Sequence, residues 1–351
     1  MLLYIHIPFC DSKCHYCAFN SYVDKFGLRE RYMQALAVQL DFEIRRLGLE
    51  AQSIESLFIG GGTPSTVDPA LYAPLFERLR PLLADDAEIT SEANPNSAAR
   101  PWLEGMHRLG VNRISFGVQS FDADKLRRLG RAHTPHQARR AVETAASAGF
   151  AHLSVDLIYG VVGDTRALLE HDIDTAFSLP IDHLSAYALT IEEGTPFEKT
   201  PQVAHETLDL TRHFFERIAQ RGFTQYEISN FGTYRSRHNL GYWQYKPYIG
   251  LGAGAVGCVG NVRYYPQQGI EAYIADPCFR TQEVLDDAAI KTEKLFLGLR
   301  SAVGVEAALL TDDETRRARW LLDEGKLRFD GGRYFSTDYL LADEIALYLQ
   351  G

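Results

Sequence analysis

The sequence predicts an α/β protein: a partial, open (β/α)6 TIM-like barrel followed by a small C-terminal domain of helical, winged-helix-like kind. Three observations predict it. Short apolar runs recur six times with helical patterns between them, the alternation that builds a parallel sheet with helical crossovers. Several helical patterns open near proline and close on glycine, as helix ends prefer. The polar and glycine-rich stretches follow or close the apolar runs, at the ends where a barrel forms its active face. Six units rather than eight make the barrel partial.

The runs are residues 2–7, 56–59, 87–91, 113–116, 153–158 and 183–189. Residues 27–47 place Met33, Leu36, Leu40, Ile44 and Leu47 on one helical stripe, and 69–83 do the same with Leu71, Leu75, Leu79 and Leu82. Helices over 101–109 and 135–148 close on Gly110 and Gly149, and a later one closes on Gly222. From about residue 288 the pattern changes to short helices and a hairpin over 327–335, turning at Asp330-Gly331-Gly332. The expected division is a barrel over 1–235, a segment over 236–285 packing on it, and a C-terminal domain over 286–351. No sequence repeat or low-complexity linker interrupts it.

With 351 residues, 46% of them hydrophobic, the chain can bury one large core and a small one. A net charge of −10 creates no field that attracts nucleic acid or an anionic membrane. The C-terminal domain is itself acidic, with Asp312, Asp313, Glu314, Asp343 and Glu344. No apolar stretch reaches the roughly 20 residues of a membrane span, and position 1 runs straight into a strand, so neither an integral membrane segment nor a signal peptide is expected. Five cysteines without a disulfide framework fit a reducing compartment, the cytoplasm.

Three of those cysteines, Cys10, Cys14 and Cys17, fall within eight positions directly after the first run. Thiolates this close usually belong to zinc or to an iron–sulfur cluster. Structural zinc wants four ligands, often as two pairs, and Cys258 and Cys278 are distant and isolated. Three thiolates on one loop can hold three irons of a [4Fe–4S] cube and leave the fourth open to chelate a cofactor. The aromatic neighbours Tyr4, Phe9, Tyr16 and Phe19 would shield such a cluster from water. A zinc-stabilised barrel and plain reduced thiols are the alternatives.

The second run is followed by Gly60-Gly61-Gly62-Thr63-Pro64. Three glycines weaken a regular element by about 0.5–1 kcal/mol each relative to alanine, and suit close approach of backbone to a ligand. The loop carries neither GxGxxG nor GxxxxGK[ST]. Glu92 closes the third run, suited to an amine or a ribose. Gln119 follows the fourth, with a purely structural role equally open. Asp156 lies within the fifth, where an unpaired buried charge is costly, and is expected to face the barrel mouth. Arg127, Arg128, Arg131, Arg139 and Arg140 fall on predicted helices as a solvated face.

The cysteine spacing resembles that of the radical S-adenosylmethionine (SAM) proteins. YIHIPFC, GGGTPS, EANP, RISFGVQSF, DLIYG, YEISNF and HNLGYW, spanning residues 4–243, resemble together the coproporphyrinogen dehydrogenase (HemN) and HemW group. Two features divide its branches. The dehydrogenases carry a fourth cysteine where Phe19 stands, and 238–243 is similar to the HNxxYW motif of the HemW haem chaperones. The resemblance implies a [4Fe–4S] cluster on the three cysteines. SAM would then lie against Gly61, Gly62 and Thr63, with Glu92, Gln119, Asp156 and Arg131 near it and Tyr4 and Phe19 flanking the cluster. It also implies haem, with His238 as a ligand and Tyr242 and Trp243 offering aromatic surface. Many relatives have histidine where Val256 stands, and the proline common in the group is missing from Gly160-Val161-Val162-Gly163. The implied function is binding haem and passing it to haem-requiring acceptor proteins, with an electron donor for reductive SAM cleavage. Oxygen-independent oxidation of coproporphyrinogen III is the alternative. The oligomeric state, a homodimer included, is not written in the sequence.

Overall fold

In the computed structural model, which describes residues 1–351, six parallel strands pair in chain order. They are β1 (Leu2–Ile7), β2 (Ile54–Gly61), β3 (Leu83–Ala93), β4 (Arg113–Gln119), β5 (His152–Tyr159) and β6 (His183–Ala188). Helices α1 (Arg29–Leu47), α2 (Pro69–Leu79), α3 (Arg100–Leu109), α4 (Ala123–Leu129), α5 (Pro135–Ala148) and α6 (Arg166–Phe177) cross between them. Strands β1 and β6 do not pair with each other, so the barrel stays open. Its core is one cluster of 56 buried residues, to which each strand gives alternate residues of one face, such as Leu3, Ile5 and Ile7 of β1, packed with the helices.

Local chemistry sets many of the boundaries. Thr134 and Gln137 form a capping box with Pro135 at the first turn of α5, and Gly149 closes the helix in left-handed geometry. The helix expected over 69–83 ends earlier, at Leu79. Pro81 cannot donate to a preceding carbonyl, and Leu83 already pairs with Ile54 in the sheet. Arg131 is not helical: α4 stops at its Gly130 cap and Arg131 begins the following loop.

The sheet is wider than the sequence suggested. After α7 (Leu208–Gln220), the short strands β7 (Thr224–Gln225) and β8 (Asn230–Gly232) extend it beyond β6. Helix α8 (Arg237–Trp243) then passes under the N-terminal strand ends, where Gly241 presses on Leu2. Strand β9 (Tyr248–Leu251) joins β1 in parallel. Strands β10 (Gly257–Val259), β11 (Val262–Pro266) and, after α9 (Ile270–Ala275), β12 (Arg280–Val284) complete twelve. The 236–285 segment is therefore built into the barrel sheet.

A second core of 11 buried residues, from Leu295 to Leu349, forms the small C-terminal domain. It packs α10 (Asp287–Leu299), α11 (Asp312–Asp323) and α12 (Ala342–Gln350) around a three-stranded antiparallel sheet. That sheet comprises β13 (Val305–Glu306), β14 (Leu327–Asp330) and β15 (Arg333–Ser336). Gly331 and Gly332, both at positive φ, make the two-residue hairpin turn that such geometry requires. No helix is long and apolar enough to cross a membrane.

Candidate cluster and cofactor cavity

The C-terminal ends of β1–β6 surround a cavity of about 650 Å³. One wall is the loop after β1, whose Cys10, Cys14 and Cys17 all line the cavity. Backbone bonds hold that loop at its ends and in its middle: Tyr22 N donates to the Pro8 carbonyl at 2.8 Å, and His15 N to that of Leu129 at 3.1 Å. Burial pushes the Cys10 and Cys17 thiols up, so loading a metal must displace their protons. Thr63 Oγ1 lies 3.2 Å from Cys10 Sγ, and Arg131 Nη1 donates to Cys14 Sγ at 3.1 Å. The three thiols line this cavity with no fourth thiol or imidazole beside them, whereas structural zinc takes four such ligands, so the set suits a four-iron cube with one open iron better than zinc.

The glycine loop forms the neighbouring wall, and its packing explains the triplet. A side chain at Gly61, where φ is +110°, would collide with the His6 ring; one at Gly62 would meet the Phe9 carbonyl at 2.8 Å. The glycines let β2 close on the cysteine loop as well as exposing backbone to the cavity.

The carboxylates and amides fill the floor and far wall. Glu92 accepts from Gly61 N at 3.0 Å, and burial, then the charge of Asp156, lifts its carboxyl to about 8. Asp156 accepts from Ser115 Oγ at 3.2 Å; burial raises it too, against hydrogen bonds and the Arg113 charge. Gln119 sits at φ +70°, an unusual conformation for a non-glycine residue. Its buried Oε1 has no partner although Gln119 lines the cavity. An orphaned acceptor there fits a ligand that donates, as an amine or ribose does. The residues present thus fit both an iron–sulfur cluster and a polar cofactor.

Two site residues escaped the sequence reading. Asn94 donates to Thr63 Oγ1 at 3.1 Å and accepts from Arg131 at 2.7 Å; its place in the EANP stretch was the available signal. Arg113, 1% exposed, supplies positive charge to Glu92 and Asp156 from below. It opens β4 and reads as a strand boundary.

Three expectations need correction. Tyr4 does not reach the cavity: its hydroxyl lies 3.0 Å from His6 Nδ1 and its ring stacks on Phe58. Phe9 belongs to the core against Tyr32, which leaves Tyr16 and Phe19 of the four aromatics on the cavity, as expected of them, with Phe19 65% exposed. His238 lies at the opposite end of the barrel, 1% exposed. Its Nδ1 is 2.9 Å from Ser56 Oγ and its Nε2 3.1 Å from the Tyr242 hydroxyl. Burial lowers its pKa to about 4. With both nitrogens engaged inside the protein, His238 cannot ligate haem iron in this conformation.

An open parallel barrel with three thiols at the end of its first strand defines a radical SAM protein, and residues 4–176 match the radical SAM superfamily. A heme chaperone HemW of Bacillus subtilis (strain 168) is 36% identical over 86% of this chain and 84% of its own length. One of Mycobacterium tuberculosis (strain ATCC 25618 / H37Rv) is 34% identical over 99% and 94%, and one of Escherichia coli (strain K12) 40% identical over 73% and 70%. The chain belongs to the HemW family of the radical SAM superfamily. Its fold matches coproporphyrinogen III oxidase (HemN) from Escherichia coli at a TM-score of 0.82, over 99% of this chain and 89% of that one, with 19% identity.

Proposed function

We propose that the protein is a cytoplasmic haem chaperone with a [4Fe–4S] cluster on Cys10, Cys14 and Cys17 and SAM bound beside it. The observation that carries the cofactor reading is that the three thiols share one cavity with the orphaned Gln119 acceptor, Glu92 and Asp156. Gly61, Gly62 and Thr63 offer backbone and hydroxyl groups at its edge, and Arg131 supplies positive charge. Bound there, cluster and SAM together supply a one-electron reductant and a source of carbon-centred radical. The chain's own groups fix orientation: Glu92 and Gln119 accept hydrogen bonds, and Arg113 balances the buried carboxylates. A low-potential electron donor is required. Reduced thiols require a reducing compartment, which is why the cytoplasm is proposed.

The relatives named heme chaperone HemW support haem as cargo. Since His238 is sealed, we place haem in a second cavity of about 620 Å³ beside it, lined by Tyr242, Tyr245, Tyr248, Cys258, Arg263 and Phe296 among others. Tyr242 links the two, contacting His238 on one side and lining this recess on the other. The recess adjoins Tyr248, which pairs with Leu2 at the start of β1, whereas the cysteines follow its end. Six extended residues separate the two levels by about 20 Å, too far for a radical formed at the cluster to act on a porphyrin held in the recess. This separation favours delivery over porphyrin oxidation. Anaerobic reconstitution followed by iron and sulfide analysis, haem titration in the Soret region, and incubation with coproporphyrinogen III tests the reading. Cluster and haem binding without conversion are expected; protoporphyrinogen formation with SAM and a reductant would reverse the assignment.

A further inference from the structure

The guanidinium of Arg131 is held against the cluster loop by a set of bonds that needs no SAM. The Gly130 cap turns the chain out of α4, and Arg131 N bonds back to the Leu126 carbonyl at 2.9 Å. That turn lies under the cysteine loop, with the His15 ring packed directly on Gly130. The side chain then reaches into the cavity wall. One terminal nitrogen donates to Cys14 Sγ at 3.1 Å; the other donates to Asn94 Oδ1 at 2.7 Å and to the Gly117 carbonyl at 2.5 Å. None of these acceptors is a carboxylate. The charge of Arg131 is permanent and its bonded partners leave it unneutralised, with one fork aimed at a thiol that ligates the cluster in the reading above.

Resting on that reading, we propose that Arg131 sets the reduction potential of the cluster through its N–H to Cys14 Sγ, independently of any contact it makes with SAM. Reduction adds one electron, supplied by an external low-potential donor, to a cluster already carrying three thiolates. No proton need move. A fixed positive charge and a hydrogen bond at a ligand sulfur stabilise the more negative, reduced form and so raise the potential. Asn94 and Gly117 act as the brace, because they orient the planar fork so that its other nitrogen meets the sulfur. Arg131 is in this respect a positioning and electrostatic residue, and its action is visible before SAM is added.

The test is a dithionite titration of reconstituted, SAM-free protein followed by electron paramagnetic resonance, on wild type, Arg131→Lys and Arg131→Met. Iron and sulfide are measured in each sample. The methionine variant should show at least a tenfold smaller reduced-to-oxidised ratio at a fixed solution potential, about 59 mV for one electron. The lysine variant, keeping charge without the fork, should fall between. Because the variants could load poorly, wild type labelled with 15N-arginine provides a second measurement: the reduced cluster should show hyperfine coupling to a guanidinium nitrogen. A fully loaded Arg131→Met with wild-type potential, or a loaded wild type lacking that coupling, overturns the proposal while leaving the cluster assignment intact. A wild type that takes up no iron overturns the cluster reading and the arginine's role with it.

Discussion

Gln119 carries the clearest trade between stability and binding at the scale of one residue. Its positive φ costs of order 1–3 kcal/mol, yet the residue lines the cavity with its amide oxygen buried and unpartnered. Gln119→Gly should raise the melting temperature of the cofactor-free chain and weaken SAM binding with iron content unchanged. Calorimetry under anaerobic conditions checks both, and unaltered SAM affinity would reduce the strain to a feature of the loop. Glu92 gives a pH signature. Its carboxyl, raised from 4.5 to about 8, keeps a proton in the folded chain that the unfolded chain releases. That contribution is fully present below 4.5 and is lost as pH rises through 8. Glu92→Gln removes this slope, so the variant should gain stability relative to wild type between about pH 4.5 and about pH 8. Thermal melts of the cofactor-free proteins measure it; a constant difference across that range would show that Glu92 titrates normally.

Among elements, the joint between β4, α4 and α6 holds Gln119 in place. Asp172 on α6 accepts from Ser120 Oγ at 2.9 Å and from Phe121 N at 2.6 Å, fixing the two residues after Gln119. Lys125 on α4 pairs with Asp164 at 2.8 Å and lies 3.8 Å from Asp172, all three being at most 2% exposed. Asp172→Ala should cost about 3–5 kcal/mol, the loss typical of breaking a buried charge pair. It should also weaken SAM binding more than haem binding, since only the upper cavity depends on this joint. Equal losses of the two would mark a global effect. The limits of α5 were legible because Pro135 at its first turn and Gly149 at its close are local signals. The end of α2 was not, because Leu82 continues the apolar spacing and pairing of Leu83 across the sheet decides the outcome. Glu92 and Asp156 could be found because parallel strands bring their C-terminal ends together. Tyr4 was misplaced because alternation reveals which side of a strand faces inward and says nothing of depth along the barrel; His238 was read as a ligand from the likeness of 238–243 to HNxxYW, which carries no information on burial.

At the scale of the molecule, the two cavities occupy different joints. The upper one is built by β1–β6 and their loops. The lower one lies at the seam, with Tyr242, Tyr248 and Arg263 from the barrel side and Phe296 from α10. Phe296→Ala should therefore weaken haem binding several-fold and leave iron, sulfide and SAM affinity as in wild type. A Soret titration beside iron analysis decides it, and unchanged haem affinity would move the haem site elsewhere. The seam was illegible in the sequence because its barrel wall is formed by strands of three to five residues, too short for a periodic signal. One of them, β9, also has its partner β1 far away in the chain.

One of those partnerships bears on the order of assembly. Strand β1 lies between β2 and β9, so Leu2 pairs with both Ser56 and Tyr248. The strand that leads into Cys10 is made before both of its partners, yet one of its edges stays unpaired until nearly 250 further residues have been made. Long-range pairing of this kind is slow to form and leaves an exposed edge in the meantime. The loop destined for iron therefore spends translation attached to an unfinished sheet. Its stable filling belongs after the last barrel strand has docked, when β9 closes the flank of β1 and Tyr32 from α1 clasps the Ala253 N–H just beyond it.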